Sequence, residues 1–129
     1  MRGELSRILY VEDEPDIRLL AQMALEDVGG FALQLCSSGP EALEKISAFQ
    51  PQLILMDVMM PLMDGPTTLG KIRELPDFIS TPVIFMTARV QPGEMDEYKQ
   101  LGAVEVIPKP FKPMTLARTV REIWARCGV

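Results

Sequence analysis

The sequence predicts an α/β domain: a parallel sheet with helices packed on both of its faces. Three observations lead there. Short apolar runs rich in strand formers alternate with stretches of helical periodicity, strand then helix, five times. Residues 8–11, 53–56 and 83–86 are apolar at every position, the pattern of strands buried on both faces. The chain has 129 residues, 47% of them hydrophobic, which is enough for one core without disulfide or metal staples.

Each element has a local reason. Residues 7–12 (RILYVE) form the first strand. Ile17, Leu20, Ala21, Ala24, Leu25 and Val28 then follow at helical spacing, with Pro15 in the first turn and Gly29-Gly30 at the end. Residues 32–36 make a second strand. Ser38 and Glu41 read as a capping box in front of Ala42, Leu43, Ile46 and Phe49, and Gln50-Pro51 breaks that helix. After the strand at 53–56, Asp64-Gly65-Pro66 caps a helix carrying Leu69, Ile72 and Leu75. Residues 82–86 are another buried strand, and residues 93–101 a weaker helix with Met95, Tyr98 and Leu101 as its apolar side. Residues 105–107 form a short strand. Pro113 opens a last helix with Leu116, Val120, Ile123 and, at its edge, Trp124.

Composition removes several classes of chemistry. Histidine is absent, which excludes a Ser-His-Asp triad, a Cys-His dyad, histidine-ligated zinc and a phosphohistidine on this chain. The two cysteines, Cys36 and Cys127, form neither a CxxC pair nor a disulfide framework and read as inert thiols in a reducing cytosol. No apolar run approaches the roughly 20 residues of a membrane helix, and the first residues lack a signal-peptide stretch. The net charge of −5 is unevenly spread, with −9 over residues 1–107 and +4 over residues 108–129. Such an acidic body disfavours nucleic acid as a direct partner, and the basic tail reads as a solvated helix face.

In a parallel α/β sheet, ligands bind beyond the carboxyl ends of the strands. Those ends carry Glu12-Asp13 (with Glu14 and Asp16 close behind), Asp57, Thr87 and Lys109, all on one edge of the sheet. Three carboxylates brought together repel, and each resists ionisation beside the others. A hard divalent cation with oxygen ligands resolves this, and three carboxylates, one Mg²⁺ and one lysine sum to zero charge. A carboxylate in such a site can act as nucleophile toward a phosphoryl group. The metal and Lys109 would stabilise charge on the transferring oxygens, and the Thr87 hydroxyl could bond one of them. Asp57 is the best nucleophile candidate, because it follows the most apolar strand in the middle of the sheet.

These residues resemble a family. Leu9-Tyr10-Val11-Glu12-Asp13-Glu14, Asp57-Val58-Met59-Met60-Pro61-Leu62-Met63-Asp64-Gly65, Pro82-Val83-Ile84-Phe85-Met86-Thr87-Ala88, Leu101-Gly102-Ala103 and Lys109-Pro110-Phe111 resemble the receiver domain of two-component response regulators, in order and spacing across essentially the whole chain. The resemblance implies a flavodoxin-like fold, (βα)5 in three layers, with strand order 2-1-3-4-5. It implies Asp57 as phosphoacceptor, and Glu12, Asp13, Asp57 and the Met59 backbone carbonyl as Mg²⁺ ligands. Thr87 would be the switch hydroxyl, Ala88 the small residue that leaves the phosphoryl group accessible, and Lys109 the partner of Asp57 or its phosphate. The Lys109-Pro110 bond is expected to be cis, at a cost of about 0.5–1 kcal/mol.

One departure stands out. Many receivers place an aromatic residue on strand 5 three residues before the lysine, and here that position is Val106. Tyr98 is the remaining aromatic candidate for signalling nearby, though packing or a flat surface position is the plainer reading. Met59 and Arg89 occupy positions that tune phosphate lifetime in the family. The apolar Met59 offers nothing to orient an attacking water, so dephosphorylation is expected not to be especially fast. Residues 1–129 read as a single receiver domain without an output domain, its first strand at about 7–12 and last helix at about 113–126.

The resemblance implies a sensor histidine kinase or histidine phosphotransfer protein as phosphodonor and a downstream protein as target. The mixed charge on the helix 4–strand 5–helix 5 side permits homodimerisation. Two other readings are weaker. Aspartyl-phosphate phosphatases need a second carboxylate two residues after the nucleophile, where this chain has Met59, so turnover of an external substrate is not expected. Receivers that serve only as phosphorylation-independent binding modules lose the Asp, the Thr or the Lys, and all three are present here.

Overall fold

The computed structural model describes residues 3–88 and 91–127. Five strands, β1 (Arg7–Val11), β2 (Ala32–Cys36), β3 (Leu53–Asp57), β4 (Val83–Thr87) and β5 (Glu105–Pro108), alternate with helices α1 (Pro15–Gln22), α2 (Gly39–Phe49), α3 (Gly65–Ile72), α4 (Pro92–Gln100) and α5 (Leu116–Cys127). All strand pairs are parallel, in the order β2-β1-β3-β4-β5. This is the flavodoxin-like arrangement the sequence implied.

Two apolar layers flank the sheet. On one side Ile8, Tyr10, Leu53, Leu55, Ile84 and Met86 meet Ala21 and Leu25 of the first helical segment and Val120 and Ile123 of α5. On the other side Leu9, Val11, Ile54, Met56, Val83 and Phe85 meet Ile46 of α2 and Leu69 and Ile72 of α3. Every residue of β3 and β4 is buried, as their unbroken apolar runs require. Cys36 is buried and its thiol pushed up to about 12, mainly by desolvation; both cysteines are free. Among the described residues no helix is long and apolar enough to cross a membrane.

The caps follow the sequence in most places. The Ser38 hydroxyl accepts from Glu41 N at 3.2 Å and the Asp64 carboxylate from Thr67 N at 2.8 Å. Half of the expected capping box differs. Glu41 Oε1 accepts from the backbone N of Ser37 (2.6 Å) and from its hydroxyl (2.7 Å), one residue earlier than the box predicts.

Three expectations give way to geometry. After α1 the chain widens into a π-helical stretch, Met23–Val28, closed by Gly29 N→Ala24 O at 3.1 Å and Phe31 N→Leu25 O at 2.9 Å. A π turn advances by less than 100° per residue, so the 3.6-residue apolar pattern no longer keeps one face. Ala21, Ala24 and Leu25 stay buried, while Leu20 is 42% and Val28 50% exposed. Next, α5 begins at Leu116 rather than at Pro113. Thr115 N and Leu116 N both donate to Lys112 O at 3.1 Å, so residues 113–115 form a turn ahead of the helix. Finally, Leu101 lies at the end of α4 and is exposed, leaving only Met95 and Tyr98 to face the core.

Gly65 and Gly70 of α3 give a paired test. A Cβ at Gly65 would lie 2.7 Å from Asp57 O and 3.0 Å from Val58 Cα, both backbone atoms, whereas at Gly70 it would meet nothing within 4 Å. Gly65→Ala is expected to lower stability by about 1–3 kcal/mol. Gly70→Ala is expected to raise it by about 0.5–1 kcal/mol through helix propensity. Urea unfolding of both variants reads the opposite signs.

Candidate functional site

The ladders deliver the site residues to one edge. Pairing of β1 with β3 runs Tyr10 with Leu55 and Val11 with Met56, so the next pair along is Glu12 and Asp57. Glu12 N donates to Cys36 O at 3.0 Å, fixing the residue just past the end of β1. Lys109 N donates to Thr87 O at 2.9 Å, carrying the β4–β5 ladder one step past Pro108. The Lys109-Pro110 bond is cis, as expected. Gly65 N donates to Val58 O at 2.9 Å and closes the loop after β3, where Met59 is exposed.

At that edge Glu12, Asp13 and Asp57 each offer a carboxylate oxygen within 4.8 Å of the others. Oxygens around one cation, each about 2.0–2.6 Å from it, are at most about 5 Å apart, so the set fits a hard divalent ion. Lys109 Nζ lies 3.1 Å from Glu12 Oε1 and 3.2 Å from Asp57 Oδ2, bridging the two buried acids. The Glu12 side chain is wholly enclosed and that of Lys109 only 14% exposed. Asp13 is half-buried at the rim. Thr87 is buried at the end of β4, and Ala88 beside it is exposed.

The electrostatics follow from enclosure. Desolvation, then the Asp57 charge, push Glu12 up from 4.5 to about 7, against the Lys109 ammonium and a 3.2 Å bond from Glu14 N to Oε2. Burial works against the Lys109 ammonium, but its bonds to Glu12 and its closeness to Asp57 outweigh this and raise its pKa. With all groups ionised, three carboxylates and one ammonium leave two negative charges, which a divalent cation balances.

The structure thus brings Glu12, Asp13, Asp57 and Lys109 together, with Thr87 and Ala88 at the end of the neighbouring strand. Val106 is buried in the layer below α2, α3 and α4. Tyr98 packs edge-on against Phe85, ring centroids 5.5 Å apart and planes at 81°, so it is a packed residue rather than one lying flat on the surface. Arg89 lies outside the described residues. Sequence reasoning missed Arg18, whose guanidinium donates to Glu12 O at 2.8 Å. An arginine on a helix carries no sequence signal for a backbone acceptor six residues earlier.

A family model described as "Response regulator receiver domain" matches residues 8–121. The chain is 40% identical over 119 residues to response regulator Rre1 of Synechocystis, covering 92% of this chain and 52% of Rre1. It is 35% identical over 115 residues to a 14.6 kDa protein of Leptolyngbya boryana, covering 89% and 87% of the two chains. The chemotaxis response regulator CheY4 of Vibrio cholerae superposes with a TM-score of 0.85 at 30% identity, over 92% of this chain and 98% of CheY4. The chain spans about half the length of Rre1 and of several other curated relatives that it matches.

Glu12 sets a pH test. Its folded pKa lies above its ordinary value, so its contribution to stability is fully present below 4.5 and is lost as pH rises through about 7. In the metal-free protein, stability should therefore fall across this window, and less so in Glu12→Gln. A divalent cation favours the ionised form, so its stabilising effect should be larger at pH 8 than at pH 5. Thermal unfolding with and without the cation at the two pH values checks both.

Proposed function

The chain belongs to the response regulator receiver domains of two-component signalling, and on that premise we propose that Asp57 accepts a phosphoryl group from a phosphohistidine on a sensor histidine kinase or histidine phosphotransfer protein. The observation that carries this reading is Lys109 Nζ bridging Glu12 and Asp57 beside Asp13, on the edge where parallel strands end.

In the proposed transfer an Asp57 carboxylate oxygen attacks phosphorus, the N–P bond breaks, and the departing imidazole takes up a proton. Bound Mg²⁺, held by Glu12, Asp13, Asp57 and the Met59 carbonyl, would supply positive charge to the phosphoryl oxygens. Lys109, already placed between the two buried acids, compensates charge as the new O–P bond forms. The Thr87 hydroxyl is the donor proposed for one phosphoryl oxygen, and Ala88 keeps the approach open. Hydrolysis of the acyl phosphate resets the site. With Met59 at the position a phosphatase would fill with a second carboxylate, the protein serves as a switch, not as a turnover enzyme on external substrates. The phosphorylated form would then bind a downstream protein with altered affinity.

Intact-protein mass after incubation with a small acyl phosphate tests the proposal. One phosphoryl adduct is expected with Mg²⁺, none with chelator and none in Asp57→Asn; an adduct persisting in Asp57→Asn overturns the assignment. Lys109→Ala is expected to slow loading by about two orders of magnitude, the usual effect of removing a group that stabilises developing charge. Time-resolved mass spectrometry measures the ratio.

A further inference from the structure

Among the described residues, one buried side-chain polar atom lacks a hydrogen-bond partner, the hydroxyl of Tyr10. The residue is 1% exposed. It belongs to the apolar layer that also holds Ile8, Leu55 and Ile84 of the sheet and residues of the first helical segment and α5. Phenylalanine would occupy this place without stranding a hydroxyl, and a buried polar group left unpaired costs about 1–3 kcal/mol. Such a group calls for a physical account.

Its position supplies one. Tyr10 precedes Glu12 by two residues, so the two side chains leave the strand on the same face. It pairs in register with Leu55, which precedes Asp57 by two. Tyr10 and Leu55 therefore form the layer directly beneath the Glu12–Asp57 pair. A phenol carries its proton at neutral pH, so the hydroxyl is an available donor.

Glu12 has the complementary need. Oε1 takes one bond from Lys109 Nζ and Oε2 one from Glu14 N. An ionised carboxylate has about four acceptor sites. The group is enclosed, so bulk water does not fill the remainder. Adjacent layers on one strand face thus hold an unpaired donor and an incompletely bonded acceptor.

We propose that Tyr10 is a positioning residue for Glu12. Its hydroxyl donates to the ionised Glu12 carboxylate, directly after a turn of the glutamate side chain or through one enclosed water. The bond supports the charged form and fixes the direction in which Glu12 presents its oxygens to the cation. This rests on the reading of Glu12 as a cation ligand. Partners of this kind, one shell behind a ligand, are typically worth 10–100-fold in metal affinity.

Tyr10→Phe in the full chain tests the proposal, with Mg²⁺ affinity measured by calorimetry at pH 8 and stability by urea unfolding. The expected result is Mg²⁺ affinity weaker by about tenfold or more, together with a lower urea midpoint. Unchanged affinity with a higher urea midpoint would mean that the core merely tolerates the hydroxyl, and overturns the proposal. Absence of Mg²⁺ binding in the parent chain would overturn the reading of the site, and this proposal with it. Parent binding with no effect of Tyr10→Phe overturns this proposal alone. A second measurement needs no metal. In a Glu12→Met background, which has no carboxylate to accept the bond, Tyr10→Phe should no longer lower the urea midpoint; equal effects in both backgrounds would count against the link.

Discussion

Two enclosed carboxylates side by side are the constraint around which this domain is arranged. Glu12 and Asp57 sit where the apolar sheet ends, Glu12 wholly enclosed and Asp57 nearly so. Two negative charges enclosed side by side repel, and burying them without a cation is costly. Lys109 offsets part of that cost by reaching both with one ammonium, and a pinned backbone holds it there. Its amide is tied to Thr87 O, and Thr87 ends the strand that lies beside β3. The half-exposed Asp13 then adds the charge that makes a divalent cation the natural complement.

Topology makes that arrangement reachable. Strand order β2-β1-β3-β4-β5 places β1 beside β3, so the carboxylates that follow each strand become neighbours although 45 positions apart in sequence. A helix must return the chain after every strand, and the helices occupy the faces. The edge beyond the strands is thus left to loops, where polar groups need not be buried in hydrocarbon. The loop after β3 is held by Gly65, whose amide bonds Val58 O and whose missing side chain lets α3 begin against the backbone of Asp57. Site and scaffold share atoms at this point, so packing defects in α3 reach Asp57 directly.

The parts of this architecture that rest on local pattern were legible in the sequence. The unbroken apolar runs of β3 and β4 announced strands buried on both faces, and Ser38 and Asp64 announced helix starts through side chains that do cap them. Glu12, Asp13, Asp57, Thr87 and Lys109 could be read because they stand at or just past the ends of four strands. What periodicity could not show was where the period itself changes. Val28 fits a 3.6-residue face and yet is exposed, because a π-helical stretch rotates the chain after Gln22. The same limit hid Tyr10, which reads as one more core residue in a strand. Nothing in its spacing says that its hydroxyl is buried without a partner.

The helix α4 is attached to the sheet by few apolar side chains. None of the α4 residues is buried, and its inward side consists of the half-buried Met95 and Tyr98. A valine on β5 has no ring to extend over the sheet, and the aromatic contact comes from the helix instead, Tyr98 edge-on to Phe85. Phe85 is fully buried on β4, two residues before Thr87 and on the same strand face. The helix is therefore joined to the strand that carries Thr87 by an aromatic pair, and interior packing transmits displacement between such neighbours rather than absorbing it. Among the described helices, α4 is the one with no buried residue.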